Sequence, residues 1–379
     1  MLDVFEVADK LVDHIKANYP DDVALAAYYG SYAQGTATKR SDLDFFFIPA
    51  TARGYEASLQ FILDDISFDF WPISWERAER MAAFQEPKTS IIGDCKLLYA
   101  RSDEDRDRLL KLKERIVRLQ SPEHKQEFVE KAEAELSQVY VRLYKLIRAG
   151  DFGSSAYCRT EAHGILTGVL QGLALLNQSY FTRGFGQNKD QIDRFHLKPA
   201  LLDSYMHAIM HGDDAADILQ ACERLTEDAL ELVLAQKERL NGTPSFGDRM
   251  KGFYEEEKGT LDKIRSACER NDYDTAYFHA VHAQDLIAQF LFFAETGQWP
   301  CDLKLSADHH ALYRQAGLPE LVPLLDPHDL TRLQAGAERL SVVLESYLRD
   351  RGVEINRFSD MASFEAFLKE DSSSRNEKK

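Results

Sequence analysis

Apolar and polar positions alternate with different rhythms along the chain. In "MLDVFEVADKLVDHIKANYP" the apolar residues Val4, Phe5, Ala8, Leu11, Val12 and Ile15 recur at helical spacing, which predicts an amphipathic surface helix. Three short apolar runs follow. "DVALAAYYGS" ends in glycine, "SDLDFFFIPA" is stopped by Pro49 and "ISFDFWPI" by Pro72, as strands bounded by breakers are. "GYEASLQFILDD", between the second and third runs, reads as helical, and "CKLLYA" reads as a fourth, shorter strand. Residues 1–112 are therefore expected to form a small α/β unit with a mixed sheet.

Strand signals then fade. "PEHKQEFVEKAEAELSQVYVRLYKLIRAGD" places Phe128, Ala132, Leu136, Val139, Leu143 and Leu146 near helical spacing. "SSAYCRTEAHGILTGVLQGLALLNQ" and "AADILQACERLTEDALELVLAQKERL" have the length and apolar stripes of bundle helices. A fainter repeat relates residues 149–181 to 269–300: an acidic-aromatic turn, an Ala-Tyr pair, then a long helix ending in a polar loop. It reads as a duplicated bundle breaking near "NGTPSFGDRM". The expected organisation is a catalytic domain over 1–112, a helical bundle over 113–244, a second bundle unit over 245–366 and a disordered polar tail over 367–379.

The chemistry concentrates in "YYGSYAQGTATKRSDLDFFFIPA", residues 28–50. On a strand through 42–48, Leu43, Phe45 and Phe47 share one face, and Asp42 and Asp44 share the other. Paired carboxylates at that spacing repel and lose solvation unless a cation lies between them. Mg²⁺ suits such a pair, because it takes one or two carboxylates plus water and substrate phosphates. Gly30 and Ser31, just upstream, form a candidate phosphate cradle, and Gly35 permits a further close turn. Asp69 is the only acid inside the next strand run. Three acids on neighbouring strands beside a phosphate cradle are the parts of two-metal phosphoryl or nucleotidyl transfer.

"GSYAQGTATKRSDLD" also resembles a family signature: Gly-Ser, three residues, Gly, five residues, Ser-Asp-x-Asp. That is the pattern of nucleotidyltransferases of the DNA polymerase β superfamily, matched here at Gly30, Ser31, Gly35, Ser41, Asp42 and Asp44. The resemblance implies that Gly30 and Ser31 hold a nucleoside triphosphate, with ATP the expected one. It also implies that Asp42 and Asp44 bind two Mg²⁺ ions, and that Asp69 completes the metal site or activates the acceptor hydroxyl. The helical half resembles that of aminoglycoside and lincosamide nucleotidyltransferases, some of which carry their general base on such a helix. Glu161 in "CRTEAHGIL" is the matching candidate. The same architecture resembles minimal nucleotidyltransferases that pair with helical HEPN domains, although Arg159 and His163 stand too close for the HEPN nuclease motif.

Lys189, after "LNQSYFTRGFGQN", is a candidate cation for the β- and γ-phosphates, as are Lys39 and Arg40 in the motif loop. His279, His282, His309 and His310 read as helix-face residues, since zinc needs three or four converging ligands and no cysteine cluster accompanies them. "GSYAQG" lacks the Gly-Lys-Ser/Thr ending of a P-loop, which argues against a Walker-type ATPase.

Composition narrows the partners. The 379 residues are 44% hydrophobic and 29% charged, as globular chains are, with a net charge of −17. That balance, with no basic stripe, argues against nucleic acid as a partner and suits a cationic small molecule or simple solubility. No run is long and apolar enough to span a bilayer, and the first residues lack a signal peptide's basic region and cleavage site. The five cysteines form no CxxC pair and read as reduced thiols of a cytoplasmic protein. The expected activity is transfer of AMP from ATP to a hydroxyl of a small, aminoglycoside-like acceptor. A protein-modifying AMP transferase of the antitoxin type and a non-catalytic nucleotide-binding scaffold are the alternatives, and a homo-oligomer is left open.

Overall fold

The computed structural model describes residues 3–39, 41–149, 155–184, 186–240, 245–304 and 306–376. Arg40, the turn at 150–154 in the first repeat, residues 241–244 of the expected break and the last three residues lie outside the described residues. The chain divides into two compact units, Met1–Lys237 and Glu238–Lys379.

The first unit begins with helix α1 (Val4–Asn18), whose N-cap Asp3 accepts a hydrogen bond from the Phe5 amide. Val4, Val7, Ala8, Leu11 and Ile15 are its buried stripe. Phe5 stays partly exposed and meets Tyr28 and Tyr32 edge-on. Five strands follow: β1 (Val23–Tyr29), β2 (Asp44–Pro49), β3 (Leu59–Leu63), β4 (Ile66–Pro72) and β5 (Lys96–Ala100). They form one sheet in the order β3-β4-β2-β1-β5. β2 and β4 run parallel and the other neighbouring pairs antiparallel. One face of the sheet, carrying Leu43, Phe45, Phe47, Phe68 and Phe70, packs on α1.

The segment "GYEASLQFILDD" is not a helix. A short 3₁₀ turn covers Arg53–Ala57, and β3 then pairs with β4. Asp64 and Asp65 both take positive φ (52° and 60°), the geometry of a two-residue hairpin turn that suits right-twisted strands. The Asp-Asp pair was the turn signal within an apolar pattern that also fits helical spacing.

Helices α2 (Gly30–Ala33), α3 (Trp75–Ala82), α4 (Thr89–Gly93) and α5 (Asp103–Leu119) complete the sheet region. Long helices α6 (Lys125–Ala149) and α7 (Ser155–Leu176) come next, then α8 (Lys189–Asp193), α9 (Leu202–His211) and α10 (Ala215–Leu240). Gly164, Gly168 and Gly172 face Arg142, Val139 and Leu136, and a Cβ at Gly168 would lie 2.8 Å from Val139, so α6 and α7 pack closely.

The second unit holds α11 (Phe246–Arg249), α12 (Phe253–Glu269), α13 (Tyr273–Thr296), α14 (Asp308–Gln315), α15 (Thr331–Asp350) and α16 (Met361–Asn376). Leu261, Ile287, Leu291, Leu340 and Leu344 are fully buried in its core. The long helices of the two repeat copies, α7 and α13, fall in different units. α16 covers much of the tail expected to be disordered. It is started by Asp360, which accepts from the Ser363 amide, and Phe364 and Phe367 pack on Phe358. Among the described residues no helix is long and apolar enough to cross a membrane.

Candidate active site

β1 ends at Tyr29, which pairs with Asp44 at the start of β2. The chain then turns sharply into α2 through Gly30, whose φ is +73°. Glycine is required there twice over. A Cβ at that position would lie 1.9 Å from Asp44 Oδ2, and an L side chain rarely adopts that φ. The Asp44 carboxylate therefore rests against the Gly30 backbone at the mouth of the Gly-Ser turn.

β2 begins at Asp44, so Asp42 lies on the lead-in to the strand and not within it. The two acids nevertheless act on each other. Burial first, and the Asp42 charge second, push the Asp44 carboxyl up to about 6. Burial likewise raises Asp42, and Asp69 adds to it. Phe45 pairs with Phe70 across the parallel β2–β4 ladder, so Asp44 and Asp69 stand one residue earlier on neighbouring strands. Asp69 is exposed and accepts a hydrogen bond from Gln60 Nε2 at 2.8 Å, its cross-strand partner on β3. Tyr29 is raised to about 12 by burial and by the nearby Asp44, Asp69 and Asp42. No lysine or arginine among the described residues contributes to the shifts of Asp42 or Asp44. Two partly buried carboxylates are a hard-oxygen donor set that fits a divalent cation such as Mg²⁺.

Of these acids, Asp44 borders a cleft of about 400 Å³ lined also by Gly30, Ser31, Lys88, Arg183 and Gln187, among others. Gly30 and Ser31 stand on the wall of this cleft beside Asp44. Gly35 takes φ +71°. Ser41 closes its own loop, its Oγ accepting from the Thr38 amide at 2.9 Å, so its hydroxyl shapes the motif loop. Lys88 and Arg183 are the cations that line the cleft, and sequence reading missed both. Arg183 sits in the loop between α7 and α8, and Lys189 is the first residue of α8. Asn188 Nδ2 donates to the Arg183 carbonyl, and Gln191 accepts from the Thr182 amide and donates to the Tyr180 carbonyl. Tyr180 in turn donates to Asp94 at the end of α4. The loop is thereby pinned with Arg183 against the cleft.

Lys189 and Glu161 are placed elsewhere. Lys189 is held by Asp193 and Asp203 and borders a separate, largely apolar cavity of about 530 Å³. Glu161 is buried on α7 and paired with Arg142 of α6 at 3.3 Å. It does not line the cleft. Pro87 is shared between the cleft and a neighbouring groove of about 250 Å³, whose lining includes Glu135, Gln138 and Gln171. Burial alone raises the Glu135 carboxyl. No sequence signal marked it among the other acids of α6.

Residues 8–81 match the model of the nucleotidyltransferase domain, and residues 106–239 match that of the KNTase C-terminal domain. The chain belongs to the nucleotidyltransferases. The first match contains Gly30, Ser31, Asp42, Asp44 and Asp69, and the second contains Glu135, Glu161, Arg183 and Lys189. Among solved structures, a nucleotidyltransferase-like protein from Exiguobacterium sibiricum 255-15 aligns at 10% identity with a TM-score of 0.38, covering 60% of this chain and 75% of that one. No curated protein matches this nucleotidyltransferase in sequence.

Proposed function

We propose that the first unit transfers AMP from ATP to a hydroxyl of a small cationic acceptor of the aminoglycoside class, with Mg²⁺ as cofactor. The observation that carries this reading is the seating of the Asp44 carboxylate against Gly30, at a cleft whose other walls bring Lys88 and Arg183. Ser31 and the neighbouring amides would hold the triphosphate, and Lys88 and Arg183 would offset its charge. Asp42 and Asp44, with Asp69 beside them, would hold Mg²⁺, which when bound supplies charge neutralisation at the reacting phosphate.

The acceptor hydroxyl oxygen attacks the α-phosphorus, its proton passes to a carboxylate, and the bond to the departing pyrophosphate breaks. Asp69, on the strand beside Asp44, and Glu135, in the groove adjoining the cleft, are the candidate carboxylates. Glu135 is suited to the proton because burial brings its carboxyl nearer to neutrality. The match to the KNTase C-terminal domain and the net charge of −17 both support a cationic antibiotic as acceptor.

The test is pyrophosphate release from ATP and Mg²⁺ over a panel of aminoglycosides and lincosamides. Release that depends on one acceptor and disappears in the Asp42→Ala/Asp44→Ala double variant is expected. Acceptor-dependent release at the wild-type rate in that variant would sink the proposal.

A further inference from the structure

The second unit lies, apart from its first residues, outside both family matches, yet it assembles a set of metal-type ligands. Asp285 on α13 faces His309 and His310 in the first turn of α14. The His309 Nε2 is 3.4 Å and the His310 Nε2 3.2 Å from the same oxygen, Asp285 Oδ1. Ligand atoms of all three residues lie within 4.8 Å of one another, and this is the only such group of three or more among the described residues.

The spacing suits a shared metal ion. A direct N–H···O hydrogen bond runs to about 2.7–3.2 Å, so one contact lies beyond that range and the other at its end. Tetrahedral zinc with bonds of about 2.0–2.1 Å sets neighbouring ligand atoms about 3.3 Å apart, the mean of the two observed distances. The imidazole rings, 4.3 Å between centroids, are brought together by consecutive residues that would ordinarily diverge around a helix. A cleft of about 310 Å³ opens beside them, lined by Asp285, His309, Cys301, Asp302 and Asp308. Lys304, the cation in that lining, is engaged by Asp308 at 3.0 Å. Imidazole with carboxylate selects zinc and its transition-metal neighbours over Mg²⁺ or Ca²⁺, which prefer oxygen alone.

We propose that Asp285, His309 and His310 form a binding site for a zinc-class divalent ion, with its remaining coordination position open to this cleft. The site is independent of nucleotidyl transfer. It uses no residue of the first unit, and two of its three ligands are imidazoles where the catalytic donors are all carboxylates.

The test is calorimetric titration of the untagged, chelator-stripped full chain with ZnCl₂ in excess Mg²⁺. One Zn²⁺ per chain is expected, retained in the Asp42→Ala/Asp44→Ala variant. Affinity should fall by about tenfold or more in His309→Ala, His310→Ala and Asp285→Asn. The three side chains are partly exposed, so far-UV circular dichroism is expected to stay at wild type. Co²⁺ gives a second readout: the intense visible absorption of a tetrahedral site in the wild-type chain, lost in His310→Ala. Absence of stoichiometric binding, or binding unchanged across all three substitutions, overturns the proposal.

Discussion

Asp44 Oδ2 occupies the space into which any side chain on Gly30 would have to grow. Gly30→Ala therefore sets a methyl group against the acid proposed to hold the metal, in a backbone conformation that disfavours alanine. The expected cost is about 1–3 kcal/mol of stability. Pyrophosphate release should drop by roughly 100-fold or more, because the acid must move by an ångström or so. Melting curves beside rate measurements separate the two effects.

The raised carboxyl of Asp44 predicts a pH signature in the metal-free chain. The folded chain holds this proton more tightly than the unfolded chain, so stability declines as pH rises from the ordinary aspartate value of 3.8 through about 6. Asp44→Asn removes that penalty. At pH above about 7 it should stabilise the chelator-treated protein by on the order of 1 kcal/mol, once solvent screening is discounted. The gain should vanish below about pH 4. Denaturant titrations at several pH values read the difference directly. Mg²⁺ affinity of the wild type should weaken below about pH 6, since the ligand must be ionised.

Lys88 and Arg183 line the cleft, whereas Lys189 is already paired twice. Lys88→Ala and Arg183→Ala should each raise the KM for ATP by about tenfold. Lys189→Ala should leave it within about twofold of wild type. Initial-rate kinetics with varied ATP would expose a reversal of that order.

Glu135 and Glu161 make opposite predictions. Glu135→Gln should lower kcat by about 100-fold or more with stability nearly unchanged, as loss of a proton acceptor does. Glu161→Gln should leave turnover near wild type and cost about 1 kcal/mol of stability, because Arg142 loses its carboxylate. Opposite results in the two variants would transfer the role of base from α6 to α7.

Gln60 holds Asp69 across the hairpin. Gln60→Leu should reduce kcat by at most roughly tenfold, the worth of one hydrogen bond, with little change in KM for ATP.

The parts of the site that were legible in the sequence are those whose spacing is local. Gly30, Ser31 and Asp44 belong to one strand–turn–strand segment, where alternation and a glycine translate directly into geometry. Asp69 was legible because it interrupts an apolar strand. Lys88, Arg183 and Glu135 were not. They reach the cleft and its adjoining groove through the packing of loops and helices, and a lone cation or helix acid carries no mark of what it will face. The loop bearing Arg183 was recognised as a source of phosphate cations, but Lys189, just after it, was singled out. Asn188 donates to the Arg183 carbonyl, and Gln191 accepts from the Thr182 amide and donates to the Tyr180 carbonyl, which fixes the backbone on either side of Arg183. β3 was misread because five apolar or amphipathic residues fit both periods, and only its Asp-Asp turn distinguished a strand. His309 and His310 lie on a helix, as their sequence reads, and their neighbour Asp285 on another helix carried no signal that it would face them.

The parallel pairing of β2 with β4 ties the chemistry to the accuracy of folding. Asp44 and Asp69 stand on the same face of neighbouring strands only because Phe45 pairs with Phe70. A slip of one residue between these strands would send Asp69 to the opposite, α1-facing side of the sheet while the buried phenylalanines changed places with it. Such a slip buries a carboxylate and exposes aromatic rings, so the core of this small sheet proofreads the alignment of its own acids.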